Sequence, residues 1–199
     1  MKKLLPAALL ALLAPLAACS DDEGGGGGGG EAGGGGMAPR PTGALAMEVY
    51  ATMEQTCPPG NVHINVGNAQ SAPPQTVVDG RDGASVSCAV VPSGDKLEAS
   101  GAIEQAELAF SFGGVVTDGG SALGNVSFRD PAGGTLYESA PGSPCVFQFA
   151  PGTEQGVAPG RIHVQFDCPS LVSEEDPTAA CASRYGYLLL ETCDGAPQP

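Results

Sequence analysis

The chain has 199 residues, among them 31 glycines and no tryptophan, and its 8 basic residues against 22 acidic ones give a formal charge of −14. An acidic excess of this size argues against nucleic-acid binding, which needs a basic face to displace counterions from phosphates. All six Phe and four Tyr fall between Tyr50 and Tyr187, whereas seven glycines crowd residues 24–30 and four crowd 33–36. One apolar core is therefore expected in a single domain over residues 44–194, with 195–199 a short tail.

Lys2 and Lys3 precede an apolar run from Leu4 to Leu16 that Pro6 and Pro15 interrupt. This is the positive n-region and apolar h-region of a signal peptide, residues 1–18. The run is shorter than the roughly 20 apolar residues of a membrane-spanning helix. It closes on Leu16-Ala17-Ala18-Cys19. At these residues the chain resembles bacterial lipoproteins, whose lipobox ends in an invariant cysteine. The resemblance covers residues 1–19 and implies cleavage before Cys19, diacylglycerol on its sulfur and acylation of the new amino group. Two or three acyl chains at ~0.8 kcal/mol per buried CH₂ anchor a protein stably, whereas one binds only marginally. In enterobacterial lipoproteins an Asp directly after the cysteine favours the inner membrane. Ser20 stands there in this chain, so the resemblance favours the outer membrane.

Residues 19–43 then read as the lipidated cysteine and a glycine-rich, disordered tether. Asp21-Asp22-Glu23, the glycine runs and Pro39-Arg40-Pro41 offer almost nothing to bury, and glycine has the most backbone entropy to lose on ordering. As a random coil it would reach roughly 25–30 Å. The glycine runs match phosphate-loop patterns only trivially, since no strand precedes them and no helix or Gly-Lys-Thr follows. No cofactor is expected.

From residue 45 onward, apolar residues alternate at strand length. Leu45, Met47, Val49, Ala51 and Met53 oppose Glu48, Tyr50, Thr52 and Glu54. Val62, Ile64 and Val66 alternate with His63 and Asn65, and Ala84, Val86, Cys88 and Val90 share a face. Leu97, Ala99, Gly101 and Ile103 come next, then Leu108, Phe110 and Phe112, then Val126 and Phe128. Cys145–Phe149 and Ile162–Cys168 alternate as well. Near the end, Tyr185, Tyr187 and Leu189 alternate with Gly186, Leu188 and Leu190, the pattern of a strand covered on both faces.

Turn clusters separate the runs: Pro58-Pro59-Gly60, Asp79-Gly80-Arg81-Asp82-Gly83, Pro92-Ser93-Gly94-Asp95, Asp118-Gly119-Gly120 and Pro131-Ala132-Gly133-Gly134. Gly supplies positive φ, Pro fixes φ, and Asp bonds back to its own turn. The pattern predicts an all-β fold, an antiparallel β-sandwich with a barrel-like closure as the alternative. The spacing of Ile103, Ala106, Glu107 and Phe110 also fits a single short helix over 103–112.

Cys19 aside, six cysteines remain: Cys57, Cys88, Cys145, Cys168, Cys181 and Cys193. An even number in an exported chain implies disulfides, and no Cys-x-x-Cys pair suggests zinc or redox chemistry. Strand parity selects one bridge. Pairing Cys145–Phe149 antiparallel with Ile162–Cys168 so that Cys145 opposes Cys168 sets Phe147 against Phe166 and Phe149 against Val164. Every inward residue then meets an inward residue. The sequential pairs Cys57–Cys88 and Cys181–Cys193 are the simplest remainder.

Candidate chemistry is sparse. His63 and His163 occupy outward strand positions and would share a transition metal if their strands were neighbours. Ser93-Gly94-Asp95-Lys96 matches a Ser-x-x-Lys string but lies in a turn rather than on a helix. Asp79 and Asp82 form an incomplete calcium loop that Arg81 opposes, and Glu174-Glu175-Asp176-Pro177 reads as a solvated connection. The expected function is a membrane-anchored lipoprotein with a non-catalytic binding or structural domain, contacting lipid through Cys19 and a protein or glycan through its loops. The alternative is a hydrolase using Asp or Glu, with a metal held by His63 and His163. The globular part resembles the secreted β domains attached to lipobox signals, which implies no activity.

Overall fold

The computed structural model describes residues 39–52, 55–118, 120–149 and 154–195. The signal, Cys19, the tether through residue 38 and the tail beyond residue 195 lie outside the described residues, as do Met53 and Glu54. The strands in chain order are β1 (Thr42–Tyr50), β2 (Val62–Val66), β3 (Val77–Val78), β4 (Ala84–Ser93), β5 (Lys96–Gln105) and β6 (Leu108–Thr117). They continue as β7 (Ala122–Arg129), β8 (Leu136–Ser139), β9 (Cys145–Gln148), β10 (Gly156–Ala158), β11 (Arg161–Ser173) and β12 (Ala180–Glu191). The fold is all-β and its strands pair antiparallel, as the alternation predicts. Thr42 and Gly43, assigned to the tether from the sequence, form the start of β1.

The helix alternative over 103–112 fails. Ile103 and Phe110 are cross-strand partners in a hairpin, with Ala106 at φ 54° in the turn between β5 and β6. Their helical spacing coincides with a tight turn that brings two inward residues face to face.

The strand order is β2-β1-β12-β11-β8-β7-β6-β5-β4, with β3 on β1, β10 on β11, and β9 held between β11 and β7. The sheet folds over so that β4–β6 pack against β1, β12 and β11, the layered form of a sandwich. Phe110 on β6 meets Phe166 on β11 with ring centroids 5.5 Å apart. Gly101 on β5 admits Leu190 of β12, whose Cδ1 would lie 2.6 Å from any added Cβ. Leu188 and Leu190 enter the core, and Leu189 is buried on the opposite face beside Ala44. Both faces of β12 are thus covered at this end.

Between β9 and β11, Phe147 faces Phe166 and Gln148 faces Gln165. This is the register that parity requires, and Cys145 is bonded to Cys168. The sequential pairs are corrected: Cys57 is bonded to Cys181 and Cys88 to Cys193. Cys181 and Cys193 flank nearly the whole of the 12-residue β12. At ~3.3 Å per residue they lie roughly 35–40 Å apart, far beyond the ~7 Å Cα limit for a bridge. Each of these two bridges sits beside a parallel backbone contact. Thr56 pairs with Ala179 next to Cys57–Cys181, and Ala89 pairs with Asp194 next to Cys88–Cys193. The second contact closes the free edge of β4, where Val90 donates to the Asp194 carbonyl at 2.9 Å and Asp194 donates to that of Cys88 at 2.9 Å. Three such bridges fit a chain that folds outside the cytoplasm, where thiols oxidise.

Candidate functional site

Alternation breaks once inside β12. Phe166 faces Gly186 and Cys168 faces Ser183, so Asp167 alone opposes both Arg184 and Tyr185. On the other flank Ala46 faces Tyr187 and Glu48 faces Arg184. One extra residue has been accommodated in a strand that has neighbours on both sides. Such bulges re-aim side chains and recur beside functional sites.

The bulge is strained, and its surroundings hold it. Tyr185 takes φ 53°, a left-handed conformation that costs a bulky residue of order 1–3 kcal/mol. Asp167 Oδ1 accepts the Tyr185 backbone N–H at 2.9 Å, and its Oδ2 accepts from Gln148 Nε2 at 3.4 Å. Directly after the bulge, Gly186 lies under the Phe166 ring. A Cβ on Gly186 would come within 2.6 Å of that ring. The two core-side requirements, a ring above and no side chain below, fix where the strand must kink.

On the outer face, Arg184 lies between two tyrosines. Its Cζ is 4.8 Å from the centroid of Tyr50 and 5.4 Å from that of Tyr185, both within cation–π range. Arg184 Nε lies 3.5 Å from Glu48 Oε2. The hydrogen bond and attraction of Glu48 raise the pKa of Arg184, fixing the guanidinium in its charged form. His63 stands opposite Glu48 on β2 and extends the polar row to the sheet edge. Tyr50, Val146, Asp167, Arg184 and Tyr185 line a cleft of about 360 Å³. Tyr185 is 66% exposed, and Leu123, which faces Val146 on the neighbouring strand, is 58% exposed. An open tyrosine at the cleft, with a stacked arginine between rings and an open leucine on the strand beyond Val146, has the composition of a contact surface.

The chain matches no protein-family model, no curated protein and no solved structure. The chemistry of this cleft is therefore read from its own side chains.

Of the residues singled out in the sequence, Cys168 borders the cleft and His63 stands one strand beyond Glu48, while the others lie elsewhere. β2 and β11 are separated by β1 and β12, so three inter-strand steps of ~4.8 Å keep His63 and His163 roughly 14 Å or more apart. They cannot share a metal ion, and among the described residues no group of three or more His, Cys, Asp or Glu is placed to hold one. His163 instead lies 3.4 Å from Arg161 Nη2. Burial first, and then the Arg161 charge, lower its pKa.

Asp79 caps its turn: its Oδ1 accepts the Val86 N–H at 3.0 Å, and Arg40 donates to its carbonyl at 3.2 Å. Ser93 and Lys96 face each other across the β4–β5 hairpin. Asp176 Oδ1 accepts from the Thr178 hydroxyl at 2.7 Å and backbone N–H at 2.9 Å, and these bonds lower its pKa. Each of these carboxylates closes a local turn. The Arg184–Tyr185 cleft was missed because its residues come from β1, β9, β11 and β12. Its one sequence signal is the shift of apolar parity across Ser183-Arg184-Tyr185-Gly186.

Proposed function

We propose that this protein is an exported lipoprotein, anchored through acylated Cys19, whose β domain binds a partner at the Arg184–Tyr185 cleft and performs no catalysis. The observation that carries the binding role is Tyr185: a largely exposed ring on a strained backbone that a carboxylate and a stacked arginine hold in place. Strain of this kind persists where surrounding structure over-determines it, and it clusters at ligand sites. The described cysteines are all locked in disulfides, which removes them as nucleophiles.

The anchor reading is supported by the lipobox residues Leu16-Ala17-Ala18-Cys19 together with the disulfides of the domain. Ser20 in place of an Asp supports the outer membrane as the destination. Cys19→Ser tests the anchor. The wild-type chain should sediment with outer-membrane vesicles on a sucrose gradient, and the variant should accumulate unprocessed or leave that fraction. Unchanged membrane attachment together with normal cleavage would overturn the lipid assignment.

A further inference from the structure

The geometry points to a neutral saccharide as the ligand of the Arg184–Tyr185 cleft, an inference that rests on the binding role proposed above. Three features of the cleft converge on this chemistry.

The first is the platform. Arg184 lies over the Tyr185 ring, yet two-thirds of Tyr185 remains open to solvent. A sugar ring presents a face of weakly positive C–H bonds, which stacks on the negative face of an aromatic ring. The bulge fixes the position of this ring before any ligand arrives, which lowers the ordering cost of binding.

The second is the set of polar groups around it. Asp167 and Arg184, which line the cleft, are planar groups with paired donors or acceptors, suited to adjacent sugar hydroxyls, and Gln148 stands beside Asp167. Among the described residues Asp167 Oδ2 is engaged only by the long 3.4 Å contact with Gln148, and Asp167 lines the cleft. Arg184 brings five donors, more than its single ion pair with Glu48 can use. The cleft of about 360 Å³ lies at the small end of ligand sites, the scale of one or two sugar rings.

The third is charge. Glu48 and Asp167 outweigh Arg184 locally, and the chain as a whole carries −14. An acidic peptide or a phosphorylated ligand would be repelled at such a place. An uncharged polyol would not.

The test uses the full-length protein in detergent, with an array of neutral and acidic oligosaccharides as probes, followed by saturation-transfer NMR on each hit. Wild type should bind neutral members. Tyr185→Gly, which suits the positive φ while removing the ring, should weaken binding at least tenfold. Tyr185→Phe should retain it. Circular dichroism of both variants verifies that the fold survives. Binding confined to acidic sugars, or binding that Tyr185→Gly leaves intact, would overturn the inference. A silent array also overturns it, and co-purification from the envelope then separates the two readings. If Tyr185→Gly releases a protein that wild type retains, the cleft binds protein and only the saccharide assignment fails. If nothing changes, the binding role fails as well.

Discussion

Gly186→Ala probes the packing that creates the bulge. Gly186 does not take a positive φ, so alanine fits the backbone there. On entropy alone the change should stabilise the chain by about 0.4–1 kcal/mol. Sterics oppose it. The new methyl would lie 2.6 Å from Phe166 Cε1 and Cζ and 2.7 Å from Cε2. The ring cannot yield freely, because it is 1% exposed and packs on Phe110 at 5.5 Å and Phe147 at 5.7 Å. Overpacking a core in this way costs about 1–3 kcal/mol. The net loss of about 1–1.5 kcal/mol in a domain of this size lowers Tm by about 2–6 °C. Thermal unfolding followed by circular dichroism, with disulfides intact, measures it. Phe166→Leu should relieve the clash, so the double variant should be more stable than the sum of the single effects by about 1 kcal/mol. An unchanged or raised Tm for Gly186→Ala would mean that the ring moves aside at no cost and does not fix the bulge.

Two further outcomes are expected. Replacing both Cys88 and Cys193 by Ala opens a loop closed over a separation of 105 residues, which on the chain-entropy scale costs roughly 4–5 kcal/mol. The urea midpoint should fall accordingly, and a midpoint equal to wild type would show that the bridge does not constrain the chain. His163 has a lowered pKa in the folded state, so the unfolded chain takes up the proton first as pH drops. Its contribution to stability is therefore complete above the unfolded value of about 6.5 and is lost as pH falls through the folded value. Glu154 and Glu191 partly offset the opposing effects of burial and Arg161. His163→Gln should flatten this loss in urea titrations between pH 7 and 5, and an unaltered pH profile would exclude His163 as its source.

Local pattern carried most of the architecture. Leu45, Met47 and Val49 are buried as their alternation requires, and turn residues mark the β4–β5 and β6–β7 hairpins. The β9–β11 register followed from parity because one face of each strand carries Phe and Cys while the other carries Gln. Bridges between distant segments were another matter. Cys57 and Cys88 belong to separate ends of the strand order, and their partners are fixed only once β12 lies inside the sheet between β1 and β11. The full span of β12, Ala180–Glu191, excludes the Cys181–Cys193 pair on distance alone. The cleft was hidden for a similar reason. A bulge shifts parity without leaving a turn signature, and Tyr185 gains its meaning from Asp167, 18 residues away. His63 and His163 looked equivalent in the sequence because outward parity says nothing about which strands are neighbours.

Mass spectrometry of the unreduced native protein reads the proposed lipid anchor and the three bridges together. Proteolysis without reduction should release the linked pairs Cys57–Cys181, Cys88–Cys193 and Cys145–Cys168, together with an amino-terminal peptide that begins at an acylated Cys19. An unmodified Cys19 accompanied by free thiols at the other six positions would overturn both the anchor and the bridges.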